Sequence, residues 1–407
     1  MTKRQEIRLR YFEDLKSQSH ISHDDRYLYA KPEPSRTIAI IGCGTIGQEH
    51  LAVTHLLGRA RVVGLFDEQR HSLEVASCLN EDLTGDKPTH FKSIEEATSS
   101  EDVDAFIIAT PNHTHLSILK QVMQSGKPIL LEKPMATTLA DAAETVSLCN
   151  DYPSHVQVGL QYRFKAVYAE ATAEIFTRQS IGQVKTLQLF EHRPPFLDKV
   201  GQWNKFSKNT GGTLTEKCCH YFDLLNHFAC SQPDAVFARG SQAVNFKEFE
   251  YNGEQSDIMD NATVVIEYKN GVRANFELNM FVPNFHEEMI VCGDRGRLTT
   301  TETFNVFQTQ SSQSLLNIEL AETGPSRRVE LGYPSFIEQS GHHGATFYEH
   351  QSFHDALDGV AQSAANVDQG FWSIVVGQAA EASAASGKVI KIDSFLDSID
   401  LSHLVDA

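Results

Sequence analysis

Three groups of residues in this sequence have types and spacings that could do chemistry. The first is Gly42-Cys43-Gly44-Thr45-Ile46-Gly47, glycines at the spacing G-x-G-x-x-G directly after the apolar run Thr37 to Ile41. Gly42 permits a tight turn, Gly44 leaves the backbone open to a pyrophosphate, and Gly47 lets the next helix pack close to the strand. Thr45 and Ile46 begin that helix, whose free N–H groups and positive dipole end face the phosphates. Asp67 stands twenty positions beyond Gly47, at the end of a second apolar run, Arg61 to Phe66. An acid there accepts hydrogen bonds from both ribose hydroxyls and repels an added 2′-phosphate. Taken alone, Asp67 is equally a strand-end turn residue or a helix cap; behind the glycine loop it points to NAD. Arg70 could reach a 2′-phosphate and keeps NADP open.

The second group is two polar turns, Thr110-Pro111-Asn112-His113-Thr114-His115 and Glu132-Lys133-Pro134, each following a strand-like apolar run. Ligands of doubly wound sheets bind at such carboxyl ends. The plainer readings are a helix cap by Asn112 or Thr114 and a surface pair of Lys133 with Glu132. A lysine beside a cationic ring and away from water would shift toward neutrality and could exchange a proton.

The third group is Thr210 to Asp223. If helical from about Gly212, it carries Glu216, His220 and Asp223 at i, i+4 and i+7, on one face. Such a face can aim an imidazole at a substrate hydroxyl while a carboxylate fixes its tautomer. A polar helix stripe satisfied by local hydrogen bonds is the alternative. Cys218 and Cys219 beside His220 invite a metal reading, but neighbouring helical residues point about 100° apart, so both thiols do not converge on one ion. His342-His343 and His350-x-x-x-His354 look more ligand-like, yet nothing ties them to thiolates or a third carboxylate. No metal is expected.

The elements that must position these residues follow from pattern. Strand-like runs alternate with helical segments through Asp67, helix 69–80, a short strand near His90, helix 93–99, Val103 to Ala109, helix 115–125, Pro128 to Leu131, helix 138–150 and Val156 to Leu160. That alternation predicts a parallel sheet with right-handed crossovers. After a helix near 165–178 the period changes to two, in Val184–Phe190, Asp234–Gly240, Ala262–Tyr268, Arg273–Met280, His286–Cys292 and Arg297–Thr301. Asn270-Gly271 between two of these is a hairpin signal, so an antiparallel sheet with one covered face is expected. Helices 345–358 and 370–386, a short strand Lys388 to Ile390 and an acidic tail close the chain.

Composition sets bounds. The 407 residues are 41% hydrophobic, enough for a large core and two or three domains. A formal charge of −18 without a basic stripe argues against a nucleic-acid partner. The longest apolar runs are strand-sized, far short of a membrane span. The charged start, Met1 to Glu6, lacks the apolar stretch of a secretion signal. Seven cysteines with no C-x-x-C pair fit reduced thiols and a cytoplasmic protein. Residues 1–36 precede the first strand; Ile7, Tyr11, Phe12 and Leu15 could form one face of a short helix, either a partly ordered extension or an arm docking on its own chain or a neighbour.

The glycine loop, Thr110-Pro111-Asn112-x-x-His115 and Glu132-Lys133-Pro134, in that order across about the first 160 residues, resemble the glucose–fructose oxidoreductase, inositol dehydrogenase and MocA (Gfo/Idh/MocA) family. The resemblance implies an N-terminal Rossmann doubly wound parallel sheet, about 37–160, and a C-terminal α/β domain, about 161–407, with a large open, mainly antiparallel sheet. Its outer face would build homo-oligomer contacts, and the final helices would pack back across the first domain. It further implies that Lys133 projects beside the nicotinamide with Glu132 placing it, and that His220 stands at the acid/base position. Tyr162 and Arg163 match the family's aromatic and arginine turn, with Arg163 also free to pair with an acid. His342 or His343 would contact sugar hydroxyls; Trp203 and Asn204 could supply a stacking face and a polar tip. The chain departs from the family in Glu216, where aspartate is frequent, and Cys218, where glycine is frequent. The longer carboxylate moves its head by about one bond length, so a relative's substrate does not transfer. The implied function is NAD(P)-dependent dehydrogenation of a sugar, polyol or cyclitol. Two alternatives are a redox-neutral eliminase or glycosidase that oxidises transiently, and a non-catalytic dinucleotide sensor.

Overall fold

The computed structural model describes residues 34–305, 313–321, 326–361 and 365–401. The helical face expected at Ile7, Tyr11, Phe12 and Leu15 lies outside the described residues. The first part is β1 (Arg36–Ile41), α1 (Thr45–Leu57), β2 (Ala60–Phe66), α2 (Arg70–Thr84), β3 (Thr89–His90), α3 (Ile94–Thr98), β4 (Ala105–Ile108), α4 (His115–Val122), β5 (Ile129–Glu132), α5 (Leu139–Asn150) and β6 (Val156–Gly159). Its six strands are parallel in the order β3-β2-β1-β4-β5-β6. β4, β5 and β6 are buried at every residue, as strands covered on both faces must be. The order reverses between β1 and β4, and the crevice at that switch point opens where the glycine loop leaves β1.

The second part runs through α6 (Ala166–Thr172), β7 (Val184–His192), α7 (Ser207–Thr210), α8 (Thr213–Glu216), α9 (Cys219–Ala229), β8 (Pro233–Ser241), β9 (Glu250–Tyr251), β10 (Glu254–Gln255), β11 (Asn261–Tyr268), β12 (Arg273–Asn279), β13 (Asn284–Gly293), β14 (Gly296–Asn305), β15 (Gln313–Leu320) and β16 (Arg327–Leu331). α10 (Ser335–Glu338), α11 (Ala345–Leu357), α12 (Val367–Ser386), β17 (Ile390–Lys391) and α13 (Ile392–Asp397) complete it. Nine strands form one sheet, β16-β15-β14-β13-β7-β12-β11-β8-β17, antiparallel except for the β7–β12 pair. β11 alternates buried and exposed residues over most of its length, the pattern of a sheet covered on one face. Asn270-Gly271 makes the β11–β12 turn, with Gly271 at φ +86°.

α9 and α12 cover the inner face of this sheet, α12 also packs on α5, and α11 packs on α1. α12 is set by a capping box, Asn366 with Gln369, and ended by Gly387 in the left-handed region. Four strands, β9, β10, β15 and β16, and the helices α7, α10 and α13 go beyond the sequence expectation; α13 replaces the start of the anticipated acidic tail. The helix expected from Gly212 through Asp223 is broken: Lys217 and Cys218 separate α8 from α9. Among the described residues no helix is long and apolar enough to cross a membrane.

Candidate active site

The glycines do three different jobs. Gly42 has φ +97°, and a Cβ there would lie 2.6 Å from the carbonyl of Ala109. A Cβ on Gly47 would lie 1.9 Å from the carbonyl oxygen of Gly42, so helix α1 can sit this close only with glycine. A Cβ on Gly44 would meet nothing within 4 Å, because this glycine opens onto a cavity of about 610 Å³. Thr45, Ile46 and Asp67 line the same cavity. Asp67 is fixed to the loop: Cys43 N donates to its Oδ2 at 2.7 Å and Gln69 N to its Oδ1 at 2.6 Å. Arg70 does not join them. Its side chain is 90% exposed and paired with Glu74 one turn along α2, because it starts a helix that leaves the crevice.

Thr110, Pro111 and Asn112 follow β4 onto the cavity wall, and Asn112 Nδ2 is buried there without a partner. His115, expected at the cofactor, is fully buried behind the wall. Its Nδ1 lies 2.7 Å from the carbonyl of Pro134 and its Nε2 2.9 Å from that of Thr110. It therefore ties the two polar turns together.

Glu132 and Lys133 leave β5 into the cavity. Glu132 Oε2 accepts from Lys133 N, and its Oε1 is 2.9 Å from His50 Nε2. His50 Nδ1 is 2.8 Å from His350 Nε2 on α11. His50, Glu132 and Glu349 bring three ligand-type atoms within 4.8 Å, but both ring nitrogens of His50 are already engaged within the protein. Burial and the charges of Glu132 and Glu49 hold the Glu349 carboxyl well above its usual range.

Across the cavity, Lys133 Nζ donates to the backbone carbonyl of Glu216 at 3.4 Å, and Glu216 and His220 line the same space. Glu216 Oε2 and His220 Nδ1 are buried without hydrogen-bond partners. The Tyr162 ring stacks on the His220 imidazole, and its hydroxyl accepts from Lys217 Nζ at 2.8 Å. Burial pushes His220 well below the ordinary imidazole range, and the cations of Lys133 and Lys217 push it further. Burial also pulls Lys133 down, but Glu216 and, after it, Cys219 and Glu132 outweigh it and hold the ammonium above the ordinary lysine value. The shift toward neutrality expected for Lys133 is thus reversed by its acidic neighbours.

Other expected contacts divide. Trp203 and Asn204 line the cavity, with Asn204 Nδ2 donating to the Leu197 carbonyl. His342 lines it too, its Nδ1 2.7 Å from Glu49 Oε1, in a segment where Gly341, His342, His343 and Gly344 all have positive φ. His343 turns away, against the Phe304 ring and toward Glu302. Arg163 and Asp223 are also outside the cavity: they form a buried two-pronged pair, both bonds 2.6 Å, because α9 past the break points Asp223 at the Tyr162–Phe164 turn.

Sequence reasoning missed Glu49, His50, Arg193, Lys199 and Lys217. Glu49 and His50 follow the glycine loop on α1 and Lys217 follows Glu216, so proximity to a motif was an available signal. Arg193 and Lys199 lie in an irregular segment between β7 and α7 and carry no spacing signature. A wider hollow of about 890 Å³ near Phe176, Cys230 and Arg295 holds none of the candidate site residues.

A dinucleotide fits these residues: the open side of Gly44, the anchored Asp67 carboxylate and the unpartnered Asn112 amide all face one cavity. Comparison with known proteins agrees. Residues 36–160 match a family described as oxidoreductase, NAD-binding Rossmann fold, and residues 174–392 match its C-terminal alpha/beta domain. The chain is similar to the 1,5-anhydro-D-fructose reductase of Ensifer adhaerens, 26% identical over 309 residues, 75% of this chain and 84% of that one. It is 22% identical to the inositol 2-dehydrogenase of Rhizobium meliloti over 87% of this chain and 98% of that one. A solved levoglucosan dehydrogenase, in complex with NADH and levoglucosan, shares the fold with a TM-score of 0.73 at 17% identity, covering 88% of this chain and 99% of its own.

Proposed function

The chain belongs to the Gfo/Idh/MocA oxidoreductase family, with its NAD-binding Rossmann fold matched over 36–160 and its C-terminal domain over 174–392, and we propose that it transfers hydride between NAD and a carbinol carbon of a sugar, polyol or cyclitol. The observation that most supports this is the meeting of Lys133, from the parallel sheet, with Glu216 and His220, from the other half, in the cavity that Gly44 and Asp67 line. Relatives that act on anhydrofructose and inositol support the substrate class. In this reading residues 37–160 hold the cofactor and 161–407 the substrate, in a cytoplasmic homo-oligomer built through the open sheet.

When bound, the nicotinamide supplies the hydride acceptor. The chain supplies everything else. Gly44, Thr45 and Asn112 would cradle the phosphates and ribose, and Asp67 would select NAD, as Arg70 is turned to solvent. His220, kept neutral by burial, takes the hydroxyl proton at a ring nitrogen. Lys133, kept cationic, polarises the same oxygen and stabilises its developing negative charge. Glu216 Oε2 accepts from a neighbouring hydroxyl and fixes the ring's orientation.

The test is a panel of sugars, polyols and cyclitols with NAD, followed at the absorbance of the reduced nicotinamide. Growth of that band with one substrate class upholds the reading. Product without net absorbance change would assign a redox-neutral reaction instead. Silence across the panel, extended to the acids of these sugars, contradicts catalysis.

A further inference from the structure

The substrate end of the cavity carries more positive charge than this acidic chain leads one to expect. In a protein of formal charge −18, Lys133, Arg193, Lys199 and Lys217 all line it. The acids available to them are few. Glu49 is taken by His342 and Thr346, Glu132 by His50, and Asp198 turns to Lys205 with 74% of its side chain exposed. Lys217 and Arg193 share the one buried carboxylate of Glu191, at 3.1 and 3.6 Å. Apart from Asp67 and Glu68, beside the glycine loop, Glu216 is the remaining acid, and Lys133 lies across its backbone.

The Lys199 side chain has no ion pair and no hydrogen bond among the described residues, its carbonyl alone accepting from Gln202 N, although the residue lines the cavity. Burial pulls its ammonium below the ordinary lysine value, Lys133 adds to that pull, and Glu216, Glu132 and Glu49 offset it only in part. A half-buried ammonium without a partner is a cost that an anion would remove. Arg193, close by in sequence, uses Nε on the Pro194 carbonyl, and its guanidinium lies 5.6 Å from the Phe196 ring centre.

We propose that the substrate is a hydroxy acid of the sugar class, an aldonate or uronate whose carboxylate seats on Lys199 while a hydroxyl meets Glu216 and His220. This rests on the oxidoreductase reading for the reaction, but not for the binding. The cofactor pyrophosphate is the other anion that Lys199 could meet, and the test separates the two.

NAD-loaded protein is titrated calorimetrically with matched acid and neutral pairs: D-glucuronate and D-glucose, D-galacturonate and D-galactose, D-gluconate and D-glucitol. The expected result is about tenfold or more tighter binding of an acid than of its neutral partner, as a charge-assisted hydrogen bond gives. Lys199→Met should bring the pair near parity while NAD affinity changes by less than about twofold. Equal binding within every pair, or tighter binding of the neutral partners, overturns the inference. So does a Lys199→Met protein whose NAD affinity falls and whose acid preference persists. Acid-selective binding without nicotinamide reduction would uphold this inference and remove the oxidoreductase reading.

Discussion

The ring of Tyr162 lies flat on the imidazole of His220, 4.0 Å between centres and 6° between planes. Lys165 Nζ sits 4.3 Å from the same tyrosine ring, and Lys217 holds its hydroxyl. Tyr162 therefore fixes the plane in which His220 presents its nitrogen. Tyr162→Leu should lower kcat by about tenfold or more, because a loosened base misses the near-attack geometry. Tyr162→Phe, which keeps the stack, should lose much less. Steady-state kinetics on both variants decides; equal losses would assign the effect to the hydroxyl.

The pH profile follows from the two opposed shifts. His220 is a base only when neutral, and a depressed value leaves it neutral well into acid; Lys133 is raised and stays cationic into alkali. The log of kcat/KM should stay flat through the ordinary imidazole range near about 6.5. An acid limb centred there would show that His220 is not so depressed, or is not the base.

Lys133→Ala removes the cation that polarises the reacting oxygen. Turnover should fall by about 10²–10⁴-fold. Affinity for NAD, measured by fluorescence titration, should stay near normal. Retained turnover contradicts the role given to this lysine.

Gly44 and Gly47 should respond differently to alanine. At Gly44 the new methyl enters open cavity, so melting should hold while NAD binding weakens. At Gly47 it meets the Gly42 carbonyl at 1.9 Å, so both should suffer. Thermal melts with and without NAD separate the two.

Arg163 and Asp223 act on stability rather than chemistry. Arg163→Met leaves the Asp223 carboxylate buried beside an apolar chain, at a cost of about 3–5 kcal/mol. Denaturant titration should show that loss, while the folded fraction keeps its KM. A rise in KM without destabilisation would return Arg163 to the substrate site.

Acid should unfold the protein partly through His354, buried with neither nitrogen partnered. Burial, with the Arg59 and Arg36 charges, lowers it to about 4. Its unfolded value is about 6.5, so between these limits the unfolded chain binds more protons and stability is lost as pH falls. Above that window its contribution is complete. The melting temperature should hold above neutrality and drop toward pH 4, less steeply in His354→Gln.

The parts of the fold legible in the sequence were those written in short-range pattern. β1, the glycine loop and Asp67 have spacings set by backbone sterics, and Asn270-Gly271 sits between runs of clear period two. The α8–α9 break was hidden, because nothing in Lys217-Cys218 differs from a continuing helix; tertiary packing decides it. That break sent Asp223 to Arg163 and away from the cavity. Similarly, His115 has the family spacing but serves as a brace, since its partners, the Pro134 and Thr110 carbonyls, are backbone groups that sequence does not reveal. Lys199 and Arg193 come from an irregular segment whose path depends on packing against the first half.

His350 and Glu349, from α11, complete the buried surroundings of His50 and Glu132. On the ribosome, the dinucleotide half is therefore made first and finished late. The separation of His50 from His350 is 300 residues, so a nascent chain stalled after β6 would carry a glycine loop without its backing and should capture NAD only once the last third has joined it.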